Sequence, residues 1–189
     1  DTVTSSTTEV DYTIDGTYDE IFFTITGFKS DTDERNLGYQ FIRSGESGYD
    51  RPIQSSAWYQ WLYVHDYSKG GGNYQSSWDD DISDAGDSTT QFASLTGKGD
   101  YSGKGHSAAS GELTIYRPQD TTHYKFFLAV SQTFDAHLSD FQQNIQLFRW
   151  AGYVKETAAL TGIRFVSCNY AGDQDGNINY GEFAMYGLS

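Results

Sequence analysis

The side chains here that could do chemistry are carboxylates, aromatic rings and one thiol, and their spacing sets what each could do. The stretch 171–182, AGDQDGNINYGE, puts Asp173, Asp175, Gly176, Ile178 and Glu182 at positions 3, 5, 6, 8 and 12 of an EF-hand loop. Position 1 is Ala171, which has no carboxylate to start the chelate, and the flanks FVSCNY and EFAMYG read as strands where the motif needs helices. The expectation is therefore an Asp175-Gly176 hairpin turn between two strands. Asp173, Asp175 and Glu182 are the residues that would hold calcium, the one cofactor the sequence admits; otherwise no cofactor is expected.

Trp78 stands beside Asp79, Asp80 and Asp81 in a segment, 69–87, that is first glycine-rich and then acidic. Like-charged runs stay hydrated, so the expectation is a long exposed loop. In such a loop an indole has little to bury against, which makes Trp78 with Asp79 to Asp81 the candidate binding site for a ligand or partner. Glu112 and Glu182 occupy matched places in the echo GELTIY and GEFAMY, residues 111–116 and 181–186. A glycosidase would use two carboxylates, but a repeated outward residue on two similar strands is the simpler reading. His65, His106, His123 and His137 are scattered, with no HxH, HExxH or CxxC spacing, and no GxSxG elbow or Walker loop is present. No catalytic residues, and no enzyme, are expected.

Lys plus Arg number 12 against 26 Asp plus Glu, a net charge of −14. That field repels phosphate backbones and anionic headgroups, so nucleic acid is not an expected partner. No apolar run approaches the ~20 residues of a membrane helix, and membrane insertion is not expected. Cys168 is the single cysteine, so no intramolecular disulfide can form.

The elements must then position these groups. Ten short runs rich in Tyr, Phe, Ile, Val and Thr lie between turn-forming pairs such as Asp15-Gly16, Ser44-Gly45 and Asp175-Gly176. One segment, Phe134 to Phe148, has apolar residues at helical spacing, but its weak helix formers favour a loop leading into a strand. In the echoed strands, alternation sends Leu113, Ile115, Phe183 and Met185 to one face and Glu112, Tyr116, Glu182 and Tyr186 to the other. Strands without helices must bury their faces on one another. The expected fold is all-β: an antiparallel β-sandwich, jelly-roll-like, of about ten strands, with residues 1–8 a flexible entry or short edge strand and 9–189 a single domain.

Three stretches taken together, EVDYTIDGTYDEIFFTITGFKSDTDERNLGYQFIRSGESGY (9–49), GELTIYRPQDTTHYKFFLAV (111–130) and LTGIRFVSCNYAGDQDGNINYGEFAMYGL (160–188), resemble a family of tailed-bacteriophage structural domains. Tyr18-Asp19 ahead of a strand, the strand from Gly111 to Pro118, and Ile163-Arg164-Phe165 followed by Gly181 to Gly187 carry the likeness. The acidic segment around Trp78 and the insert near Asp173 depart from it. The resemblance implies a non-enzymatic virion protein with a β-sandwich, most simply a tail-fibre or tail-tip component. Its expected partners are other virion proteins and further copies of itself, as a homotrimer, because outward Tyr and Phe exceed what one core needs. A capsid decoration (cement) protein is the second expectation. The third is a carbohydrate-binding module that meets a host-surface glycan through Trp78 and nearby tyrosines, with a structural calcium.

Overall fold

The computed structural model describes residues 1–32, 35–46, 48–49, 53–65, 71–83, 93–96, 108–137, 142–155, 157–169 and 172–189; in 53–65, 71–83, 93–94, 134–137 and 142–146 it describes the backbone path. Twelve strands run through these residues: β1 (Thr2–Val3), β2 (Glu9–Thr13), β3 (Glu20–Ser30), β4 (Asn36–Arg43), β5 (Ile53–His65), β6 (Gly71–Ser83), β7 (Ala93–Ser94), β8 (Ala108–Tyr116), β9 (Lys125–His137), β10 (Gln142–Val154), β11 (Leu160–Cys168) and β12 (Ile178–Leu188). All pairings are antiparallel. One sheet has eight strands in the order β1-β12-β3-β8-β9-β10-β5-β6, and the other has four, β2-β11-β4-β7.

The inner faces follow from alternation. In β3, Ile21, Phe23 and Ile25 are buried; in β8, Leu113 and Ile115; in β9, Phe127 and Ala129; in β10, Phe148 and Trp150. From the small sheet Val10, Leu37, Tyr39, Phe41, Ile163 and Phe165 meet them. Rings interlock across the gap: Phe165 lies 5.5 Å from Phe23 and 5.6 Å from Phe183, and Tyr39 lies edge-on 5.8 Å from Phe127. Edge-to-face pairs of this kind add to the area they bury. The two sheets thus close a core between them, and the chain is an all-β antiparallel sandwich. Its eight-plus-four order differs from the paired four-stranded sheets of a jelly roll, so jelly-roll winding gains no support from it.

Each of the ten runs picked out by composition contributes a strand, and one further strand, β6, was not expected. Residues 1–8, expected as a flexible entry or a short edge strand, contribute the edge strand β1, whose Thr2 and Val3 pair with Glu182 and Gly181. Most of the presumed loop 69–87 is β6, paired with β5 from Ser55↔Ser83 to His65↔Gly71. Backbone pairing with a long neighbour outweighs a polar composition there, and an edge strand tolerates charge. Within Phe134 to Phe148, expected as a loop leading into a strand, Phe134–His137 belong to β9 and Gln142–Phe148 to β10, with Phe134 opposite Ile145. The Asp175-Gly176 turn is not a hairpin: β11 and β12 belong to different sheets, and the turn carries the chain from one to the other. Gly176 sits there at φ +81°, where any Cβ would be strained and would lie 3.0 Å from Thr32 Oγ1.

Candidate interaction surface

The outer face of the eight-stranded sheet is built by the residues that alternate with the core. Register brings them into rows. Tyr186 of β12 pairs with Phe22 of β3, Phe22 with Thr114 of β8, Thr114 with Leu128 of β9, and Leu128 with Ala151 of β10. The neighbouring row runs Leu188, Glu20, Tyr116, then Phe126 and Tyr153. Phe126 is 59% exposed, Leu128 45%, Tyr186 55% and Leu188 57%. Scattered exposed apolar residues are ordinary, but two adjacent rows across five strands, interrupted by Glu20 and Thr114, make a largely apolar patch, and such patches mark contact sites.

The rings of this face are arranged against one another. Tyr124 and Tyr153 stack in parallel with centroids 5.6 Å apart and planes 3° apart, and Phe126 leans on Tyr153 at 6.1 Å. Phe22 lies 6.4 Å from Tyr186. A sugar platform needs open ring faces with polar groups beside them; here Tyr124 and Tyr153 spend faces on each other, and Phe126, Leu128 and Leu188 offer no hydrogen bond. A protein surface is the better match.

The face turns polar along the strands. Beyond the apolar rows, Val130 of β9 is flanked by Glu112 of β8 and Arg149 of β10, its register partners on either side. Glu112 and Arg149 are exposed. Next to them Thr24, Thr26, Ser110, Glu112 and Gln132 line a shallow open depression of about 360 Å³, floored by Gly111. A Cβ at Gly111 would lie 2.9 Å from the Val130 carbonyl, so this strand pair approaches too closely for a side chain there. Below the apolar rows, the connection from β8 to β9 is pinned by Asp120, whose carboxylate accepts hydrogen bonds from the Thr122 and His123 amides at 2.6 and 3.1 Å and lies 3.1 Å from His123 Nδ1. These bonds to the ionised form hold the Asp120 carboxyl at about 2.

The sequence-predicted sites lie elsewhere and are not brought together. Trp78, Asp79, Asp80 and Asp81 are in β6, at the edge of the large sheet opposite β1; Trp58 pairs with Trp78 and Ala57 with Asp79, and the side chains lie outside the described residues. Of the proposed calcium set, Asp175 pairs with Arg35 at 2.7 Å, Asp173 is exposed in the inter-sheet turn, and Glu182 points outward from β12. Among the described residues no three His, Cys, Asp or Glu side chains gather to hold a metal. The turn spans two sheets, and Glu182 leaves on the outer face instead of closing back on Asp173 and Asp175. Cys168 is fully buried, and burial pushes its thiol up to about 12.

Sequence reasoning placed Tyr116 and Tyr186 outward but missed the patch they join. The available signal was Phe126-Phe127-Leu128, since consecutive apolar residues in an alternating strand cannot all face the core. What only register reveals is that Tyr186, Phe22, Leu128 and Ala151 line up.

No family model matches the chain, and no curated protein matches it. Among solved structures, the chain is similar to the "Putative pore-forming toxin from Bacteroides vulgatus", with 8% identity and a TM-score of 0.12 over 93% of this chain and 60% of that one. The chain thus spans about three-fifths of that protein, and a likeness this slight carries no argument about fold or function.

Proposed function

We propose that this chain is a non-enzymatic docking module that joins a larger assembly through the outer face of its eight-stranded sheet. The observation that carries the reading is the pair of apolar rows from β12 to β10, exposed where a monomer has no use for them. An assembly surface needs an apolar centre and a polar rim, and the face supplies both, with Glu112, Arg149 and the hydroxyl-lined depression at its margin. The resemblance to tailed-phage structural domains supplies the setting: a virion surface, with a tail-fibre or tail-tip role ahead of capsid decoration.

The test is radical footprinting on purified particles from the cells that carry the gene, set against the isolated chain. The expected result is that the chain is found in the particles with Phe126, Tyr186 and Leu188 labelled several-fold less than in isolation. Equal labelling in both, or absence from the particles, overturns the proposal.

A further inference from the structure

The docking reading uses the apolar end of the outer face, and the polar end has a shape and a chemistry of its own. We infer that the depression over Gly111 is a binding site for a neutral oligosaccharide laid across β12, β3, β8 and β9. This inference goes beyond the docking reading and does not depend on what covers the apolar rows.

The depression comes from a step in side-chain length. Thr24, Thr26 and Ser110 are short, and the backbone of Gly111 lies bare between them. Glu112 and Gln132 are longer and stand at the sides. Its volume of about 360 Å³ is within the range of small-ligand sites. Glu182 is the register partner of Thr26 and Gln132 that of Ser110, with the irregularity of β3 between Ile25 and Phe28 joining the two pairs. The four form one row across three inter-strand steps, about 14 Å, a length that a short run of linked sugar rings spans. Near Thr26 the Tyr180 ring is 44% exposed and lies against Gly27, where a Cβ would be 3.3 Å from Cε1. An exposed ring beside hydroxyl groups can take the C–H side of a sugar.

The polar groups of the row are not used inside the chain. Among the described residues, the side chains of Thr24, Thr26, Glu112, Gln132 and Glu182 make no hydrogen bond or ion pair. The Ser110 hydroxyl accepts from the Gly27 amide at 3.0 Å and keeps its proton to donate. Carboxylates accept, and the hydroxyls and the Gln132 amide both accept and donate, which matches a ligand covered in hydroxyl groups.

The alternatives fit less well. Two carboxylates and a net charge of −14 oppose phosphates and acidic sugars. Glu112 and Glu182 sit two strands and one outward level apart, about 12 Å, too far to close on one cation. The same separation exceeds the roughly 6.5–9.5 Å between the carboxylates of an inverting glycosidase, so the site holds a sugar without cleaving it.

The experiment is a printed array of neutral and sialylated oligosaccharides, followed by NMR titration of the chain with the best neutral binder and, separately, with trilysine. The expected result is saturable binding of a neutral oligosaccharide with a Kd at or below about 1 mM, shifting the amides of Thr24, Thr26, Ser110, Gly111 and Gln132. Glu112→Ala should raise that Kd at least about tenfold, because it removes a charged acceptor, and Gln132→Ala about fivefold. Both variants are first checked by circular dichroism and melting curve. No binding to any neutral sugar, equal or tighter binding of sialylated sugars or of trilysine, shifts centred on Trp78 to Asp81, or an unchanged Kd in both variants overturns the inference. An absence of sugar binding together with protection of Phe126 in particles overturns this inference and leaves the docking proposal standing. Sugar binding together with unprotected Phe126 does the reverse.

Discussion

The outer faces of the two sheets are made by the same alternation and have opposite characters. On the large sheet Tyr116, Phe126, Leu128, Tyr186 and Leu188 point outward and are exposed. On the small sheet the outward Glu9, Asp11 and Arg164 are charged and pair with one another. Arg164 of β11 donates from Nε and Nη2 to Asp11 of β2 at 2.8 and 2.7 Å, sets Nη1 3.0 Å from Glu9, and lies 4.4 Å from the centre of the Tyr49 ring. The hydrogen bonds to Asp11 raise the Arg164 pKa. Farther along the same face Gln40, Val166 and Cys168 are already buried. The small-sheet face carries an ion-pair network across β2 and β11, and the large-sheet face carries exposed rings and aliphatic side chains, which is the kind of surface the docking proposal needs.

The comparison can be broken or sharpened by five substitutions or titrations. The largest effect is expected where the sheets share their core: Phe165→Ala removes a fully buried ring packed on Phe23 and Phe183 and lowers unfolding free energy by about 3–5 kcal/mol in urea denaturation. A loss below about 1 kcal/mol would show that the sheets do not close on one another as described. On the small sheet, Gln40 is 1% exposed, and neither amide atom has a hydrogen-bond partner among the described residues. Gln40→Leu is expected to raise stability by about 1 kcal/mol, since an unsatisfied buried amide costs that much or more; a lower melting temperature contradicts this. Arg164→Ala is expected to cost at most about 1 kcal/mol, with the loss shrinking in 1 M salt, because the ion pairs are partly exposed. A loss independent of salt would mean that Arg164 acts through packing.

On the large sheet, Phe126→Ser should change the stability of the monomer by no more than about 0.5 kcal/mol, measured at low concentration, because the ring is mostly exposed. A large loss would make Phe126 a core residue and remove the contrast between the faces. The smallest effect is local. The folded Asp120 carboxyl lies at about 2, below its ordinary 3.8, so its contribution is fully present above pH 3.8 and is lost as pH falls toward 2. Amide shifts of Thr122 and His123 followed by NMR should move with a midpoint near pH 2; a midpoint near 4 would mean that the carboxylate does not hold this turn.

The strands were legible because alternation is a property of neighbours in sequence: EIFFTITGF and GELTIY state their own periods, and both form the strands expected of them. The Gly-Glu echo was legible for the same reason, with Leu113 and Phe183 buried and Glu112 and Glu182 outward. β6 was hidden because its sequence, GGNYQSSWDDDIS, has no apolar period, and only the facing β5 makes it a strand. The Asp175-Gly176 turn was misassigned because a turn sequence fixes a backbone bend and leaves open which sheet the next strand joins.

By itself the sequence determined that this chain would be extended, antiparallel and layered, and which side of each strand would be apolar, since those depend on side-chain period and backbone chirality alone. Tertiary structure decided strand order and register. It thereby decided that Tyr186, Phe22, Leu128 and Ala151 would share a row, and that Glu112 and Arg149 would flank Val130 at one level. Residues far apart in the chain become neighbours only through hydrogen-bond ladders between strands, and no local pattern encodes which ladders form.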